Sequence, residues 1–215
     1  MARMIPARID DVDVSAGERR VFGLLANDPN TKEWTALHSL GLARRTKGPY
    51  GEIDFAVIIP GEGLLCLEVK GGRVSCEAGL WRTMDRHGNI AVLTKSPFQQ
   101  VRDSMFSLRK AIARRFGEDA PETRCPIGCG VVLPDVICPP VTPEFERQDV
   151  IDFDDLRGPI SRPLMRLAHR RLRDFQPRSG ERLPTTAQAR SIANFLCCDP
   201  CDVVQMRLES GPKEG

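Results

Sequence analysis

The sequence predicts an α/β fold on three observations. Two mainly apolar runs, Glu52–Ile59 and Leu64–Lys70, flank Pro60-Gly61-Glu62-Gly63, the mark of a β-hairpin. Segments after Ser15 and after Ser96-Pro97 carry apolar residues at helical spacing behind a capping serine. The length of 215 residues, 41% of them apolar, is enough for a core that needs no disulfide.

In chain order, residues 1–14 read as a Pro-containing leader. Ser15 caps a helix to about Ala26, with Val21, Phe22, Leu24 and Leu25 as its apolar stripe, and Asn27-Asp28-Pro29-Asn30 ends it. Trp34–Leu40 reads as a strand, and Leu42–Tyr50 as a basic loop with Gly and Pro. After the hairpin, Val74–Cys76, the surroundings of Trp81 and Ile90–Leu93 give three short strands. The helix from Pro97 keeps Val101, Met105, Leu108, Ile112 and Phe116 on one stripe. Ile127–Leu133 and Asp135–Cys138 are each strand candidates, Asp154–Phe175 is helical with interruptions at Gly158-Pro159 and Pro163, and a short helix follows between Thr186 and Leu196. The expected organisation is a leader (1–14), one domain (15–175) and a polar, Pro-containing tail (176–215).

Charge and hydropathy exclude several classes. A net charge of +2 is not that of a polyanion-coating protein, although it can conceal a basic face beside an acidic pocket. No run approaches the roughly 18 to 20 apolar residues of a membrane helix, and the N-terminal residues lack a signal peptide's apolar stretch. The expected location is the cytoplasm, without membrane association, where the eight cysteines stay reduced.

The hairpin carries the chemistry. A turn that pairs Ile59 with Gly63 sets Asp54 opposite Glu68, with Phe55, Val57, Leu65 and Leu67 on one apolar face together with Ile53 and Val69. Two opposed carboxylates repel unless a cation or a proton lies between them. Carboxylate oxygens suit Mg²⁺ or Mn²⁺, and Lys70 on the same face adds an ammonium. Together these groups suit phosphodiester hydrolysis, the lysine orienting water or stabilising developing charge. A solvated hairpin edge with locally paired charges is the alternative reading of the same spacing.

Gly51-Glu52-Ile53-Asp54-Phe55, Leu67-Glu68-Val69-Lys70-Gly71-Gly72, Trp81, Ala16-Gly17-Glu18-Arg19 and Ser96-Pro97-Phe98-Gln99-Gln100 together resemble the nuclease-related domain (NERD) family. These are bacterial members of the PD-(D/E)xK superfamily. The likeness spans roughly Ser15–Phe116 and continues more weakly to Phe175. It implies a restriction-endonuclease-like fold, a mixed central sheet flanked by helices. It further implies Asp54, Glu68 and Glu18 as metal ligands, Lys70 as catalytic lysine and Gln100 as a polar site residue, Gln99 being the alternative. The Pro of the superfamily motif is replaced by Ile53.

The implied activity is Mg²⁺- or Mn²⁺-dependent hydrolysis of nucleic acid, DNA ahead of RNA, by in-line attack of water. A non-catalytic nucleic-acid-binding or partner-docking module on the same fold is the competing reading. Arg44, Arg45 and Lys47, just ahead of the hairpin, are the residues expected to hold the strand. A second basic stretch, Arg157–Arg182, reads equally as a nucleic-acid face or a solvated one. Cys198-x-x-Cys201 has half a zinc site's spacing, with only Cys125, Cys129 and Cys138 as complement, so no structural Zn²⁺ is expected. His38, His87 and His169 show no ligand or triad pattern. Leu183-Pro184-Thr185-Thr186-Ala187-Gln188 resembles the segment that opens a helicase module in longer relatives, which suggests a helicase partner in cis or in trans. No phosphate-loop motif follows it.

Overall fold

The computed structural model describes residues 1–9, 14–42, 51–77, 79–84, 87–174 and 183–197. Its centre is a mixed six-stranded sheet in the order β1-β2-β3-β4-β8-β9. The strands are β1 (Arg3–Ile5), β2 (Thr35–Leu42), β3 (Gly51–Ile59), β4 (Gly63–Val69), β8 (Ile127–Leu133) and β9 (Val150–Asp152). β2, β3 and β4 run antiparallel, whereas β1, β8 and β9 each join parallel to their inner neighbour. A separate antiparallel sheet of β5 (Arg73–Glu77), β6 (Leu80–Met84) and β7 (Ile90–Val92) follows β4.

Among the described residues four helices flank the sheet: α1 (Ala16–Asn27), α2 (Pro97–Phe116), α3 (Ser161–Asp174) and α4 (Thr186–Cys197). Because both sheet faces are covered, β4 and β8 are buried at every position, and period-2 polarity vanishes from them. On one face Leu108 and Ile112 of α2 and Ile192 of α4 pack on Ala56, Ile58, Cys66 and Val131. On the other, Val21 and Leu25 of α1 and Leu164 and Leu167 of α3 pack on Phe55, Val57, Leu67 and Val132. Gly130 lets α3 approach, since a Cβ there would lie 2.5 Å from Leu167 Cδ2. This is the restriction-endonuclease-like α/β architecture: a mixed sheet between helical layers.

Several elements differ from expectation. Arg3–Ile5, placed in the leader, adds a parallel edge strand to the sheet. Asp135–Cys138 forms a turn and no strand; the outer parallel partner of β8 is Val150–Asp152 instead. Pro163 does not interrupt α3, because it lies in the first turn, where a missing N–H costs no intrahelical bond. The tail's helix, α4, is part of the core through Ala189, Ile192, Ala193 and Leu196. Trp81, by contrast, agrees with its placement on a short strand: it is a core residue, packed on Phe98 and Phe145 with its Nε1–H donating to Glu144. No helix among the described residues is long and apolar enough to cross a membrane.

Candidate active site

The hairpin register is the one the turn length demands: Ile59↔Gly63, Val57↔Leu65 and Phe55↔Leu67. The ladder stops one pair short of Asp54 and Glu68. At that point β4 stays with β8, the Lys70 N–H donating to the Val132 carbonyl at 2.9 Å. The Val69 N–H donates to Asp54 Oδ2 at 2.7 Å, so a side chain occupies the gap between the parting strands.

The other neighbour of β3 is irregular at the same place. β2 pairs His38 with Phe55 and Leu40 with Ile53 but skips Ser39 and Asp54, and Ser39 has a left-handed φ of 55°. Side-chain alternation breaks there. Ile53, expected beside Phe55 and Val57, packs instead with Ala56 and Ile58 on the α2 face. The distortion frees Asp54 from regular pairing on both sides.

Glu68, 6% exposed, receives the Lys70 ammonium on Oε1 at 2.6 Å. Burial pushes the Asp54 carboxyl up to about 7; the charge on Glu68 adds to this, the Val69 N–H opposes it, Glu18 raises it further and Lys70 lowers it. Burial likewise raises Glu68, with Lys70 opposing and Glu18 and Glu52 adding repulsion. The two groups are therefore reluctant to ionise together without a nearby cation. Lys70 supplies part of that charge.

Glu18 reaches this centre through close backbone packing. A Cβ on Gly17 would lie 2.9 Å from Gly71 Cα, so the start of α1 rests on the turn that follows Lys70. That turn is pinned by Asp135, whose Oδ2 accepts the Gly72 N–H at 2.7 Å. Ser15 and Glu18 form a capping box, and Glu18 Oε2 meets His38 Nε2 at 3.0 Å. His38, which the sequence left isolated, is thus a partner of a candidate site acid; no local pattern signals a contact across 20 positions. Glu52, which the sequence marks only as a strand and motif residue, also bears on the site: its charge acts on Glu68 and its carboxylate accepts from Ser39 Oγ.

Gln100 is on the first turn of α2, where its amide donates to the Lys95 carbonyl at 2.8 Å. Gln99 gives its backbone N–H to the Ser96 cap. Asp54, Glu68 and Lys70 are brought together, Glu18 acts on both acids through its charge, and Gln100 is turned to its own helix end. Arg44, Arg45 and Lys47 lie outside the described residues, as do Cys198 and Cys201. In the later basic stretch, Arg166 is forked on Asp155 (2.7 and 3.0 Å) and Arg170 donates to Glu146 and Gln148, which ties both to the fold. Among the described residues no group of three or more His, Cys, Asp or Glu side chains forms a ready metal shell.

Comparison with known proteins adds the family. No curated protein and no solved structure matches the chain. The family model of the nuclease-related domain matches residues 14–134, which take in α1, the hairpin, the small sheet and α2 and end just after β8. The chain therefore belongs to the nuclease-related domain (NERD) family, part of the PD-(D/E)xK superfamily.

Proposed function

We propose that the protein is a Mg²⁺- or Mn²⁺-dependent nuclease that hydrolyses phosphodiester bonds, with DNA as substrate. The observation that carries the reading is the parting of β3 and β4 at Asp54, where two carboxyls raised by burial face one lysine. Burying acids that repel each other is unfavourable for stability, and a hard divalent cation relieves it. Mg²⁺ keeps several waters and takes only one or two protein carboxylates besides substrate phosphate, so a closed three-residue shell is not required. Asp54 and Glu68 supply that donor set, with Glu18 beside them.

A bound cation would supply Lewis acidity toward the phosphoryl group and a water acidic enough to attack near neutral pH. The chain's own residues do the rest. Asp54 and Glu68 would hold the cation, and the Val69 N–H fixes the rotamer of Asp54. Lys70, anchored on Glu68, presents its ammonium to the attacking water and to charge developing on the phosphate. Glu18 would complete the cation site or accept the water's proton. Arg44, Arg45 and Lys47, in the segment linking β2 to β3, contribute phosphate contacts, and a helicase in cis or in trans would deliver substrate.

Incubating the protein with linear, circular and single-stranded DNA and with RNA, with Mn²⁺ or with chelator, tests this. Cation-dependent cleavage that Glu68→Gln and Lys70→Met reduce by a hundredfold or more is expected. Absence of cleavage on every substrate, or cleavage that survives both substitutions, overturns the reading.

A further inference from the structure

Both oxygens of the Glu18 carboxylate are held. Oε1 accepts the Ser15 backbone N–H at 3.4 Å, and Oε2 lies 3.0 Å from His38 Nε2. A carboxylate only accepts, so Nε2 carries the hydrogen. The His38 side chain is 3% exposed, and its ring lies against Phe22 (centroids 6.1 Å apart, edge-on) and Phe55 (4.9 Å). Aromatic packing therefore fixes the plane of the imidazole, and the imidazole fixes the acid. The next residue, Ser39, has the left-handed backbone that releases Asp54 from the β2–β3 ladder. One short piece of β2 thus governs two of the three acids.

We infer that His38 is a positioning residue of the site, holding the Glu18 carboxylate in the one orientation from which it would complete a divalent-cation site with Asp54 and Glu68. This rests on the reading of the site as a cation-dependent nuclease centre. A glutamate free to rotate has to be ordered when the cation binds; ordering it in advance corresponds to about a tenfold gain in affinity. His38 touches Glu18 and acts through it.

The test is Mn²⁺ affinity by calorimetry on the full chain for wild type, His38→Leu, His38→Gln and His38→Asn, with Tm and cleavage measured alongside. A glutamine amide nitrogen reaches the place of Nε2, whereas that of asparagine falls near Nδ1. The expected result is about tenfold weaker Mn²⁺ binding in His38→Leu and His38→Asn and recovery in His38→Gln. In cleavage the Mn²⁺ midpoint shifts in step, while KM for DNA holds. If His38→Leu does not fold, the Gln and Asn pair decides by the same criterion. Wild-type Mn²⁺ affinity in every folded variant, whatever happens to Tm, reduces His38 to a core residue and overturns the inference while the nuclease reading stands. A wild-type protein that binds no Mn²⁺ removes the nuclease reading and the role of His38 with it.

Discussion

Asp54→Asn is expected to stabilise the cation-free protein at neutral pH. The Asp54 carboxyl titrates near 7 in place of its ordinary 3.8, through burial first and then the charge of Glu68. The folded state consequently keeps a proton that the unfolded chain releases between about pH 4 and pH 7. With more protons bound in the native state, stability is full below that window and falls as pH rises through it. The whole displacement corresponds to on the order of 4 kcal/mol above pH 7. Sharing the mutual repulsion with Glu68 leaves about 2 kcal/mol that removing one charge can recover. Asparagine retains an oxygen for the Val69 N–H, so the hydrogen bond at the strand fork survives. Urea denaturation in chelator at pH 8 should show the variant more stable by about 2 kcal/mol, or about 4 to 8 °C in Tm. Below about pH 4, where the unfolded chain keeps the same proton, the two proteins should converge. A variant less stable than wild type by the same amount at both pH values would refute the reasoning, because the role of Asp54 would then be its hydrogen bond alone.

Other substitutions probe the supports of the site. Gly17→Ala puts a Cβ against the Gly71 backbone and should cost about 1 to 3 kcal/mol and at least tenfold in Mn²⁺-dependent cleavage. Gly23→Ala, on the same helix with nothing within 4 Å, should instead add about 0.5 to 1 kcal/mol; thermal melts of the two variants make the comparison. Ser15→Ala removes the capping box and should lower stability by about 1 kcal/mol, measured by urea unfolding. Burial alone would raise the Asp155 carboxyl, but hydrogen bonds from Arg166 and from the Asp152 N–H, with the charges of Arg166 and Arg147, hold it at about 2. Its stabilisation is therefore present above about pH 4 and lost as pH falls toward 2. Asp155→Asn should cost about 1 kcal/mol at pH 7, after screening at a partly open site, and less at pH 3.

The parts of this architecture that the sequence reveals are those with local causes. A three-residue turn sets the hairpin register, serine caps set the starts of α1 and α2, and the same register brings Glu68 and Lys70 to the position of Asp54. The three-residue strands β1 and β9 leave too short a pattern to read, and they exist because parallel neighbours already present an edge. The left-handed backbone at Ser39 is also silent, since serine does not announce a positive φ as glycine would. The rotation of Ile53 onto the α2 face follows from that same irregularity. His38 shows no ligand or triad pattern in the sequence, because its partner Glu18 meets it only once α1 is docked through Gly17 on Gly71, a contact that only the folded chain creates. Gln100 illustrates the reverse: family resemblance sends it to the site, and the unfilled carbonyl of Lys95 at the helix entrance takes its amide.

The proposed function requires Asp54 and Glu68 to ionise beside a divalent cation. Mn²⁺ titration calorimetry at pH 6.5, in two buffers of different ionisation enthalpy, addresses it most directly. Because the Asp54 carboxyl is pushed up to about 7, much of it is protonated there and has to release that proton to become a ligand. Binding accompanied by net proton release is expected, with the release abolished in Asp54→Asn. Binding with no dependence on buffer, or the same proton release in wild type and variant, would contradict it.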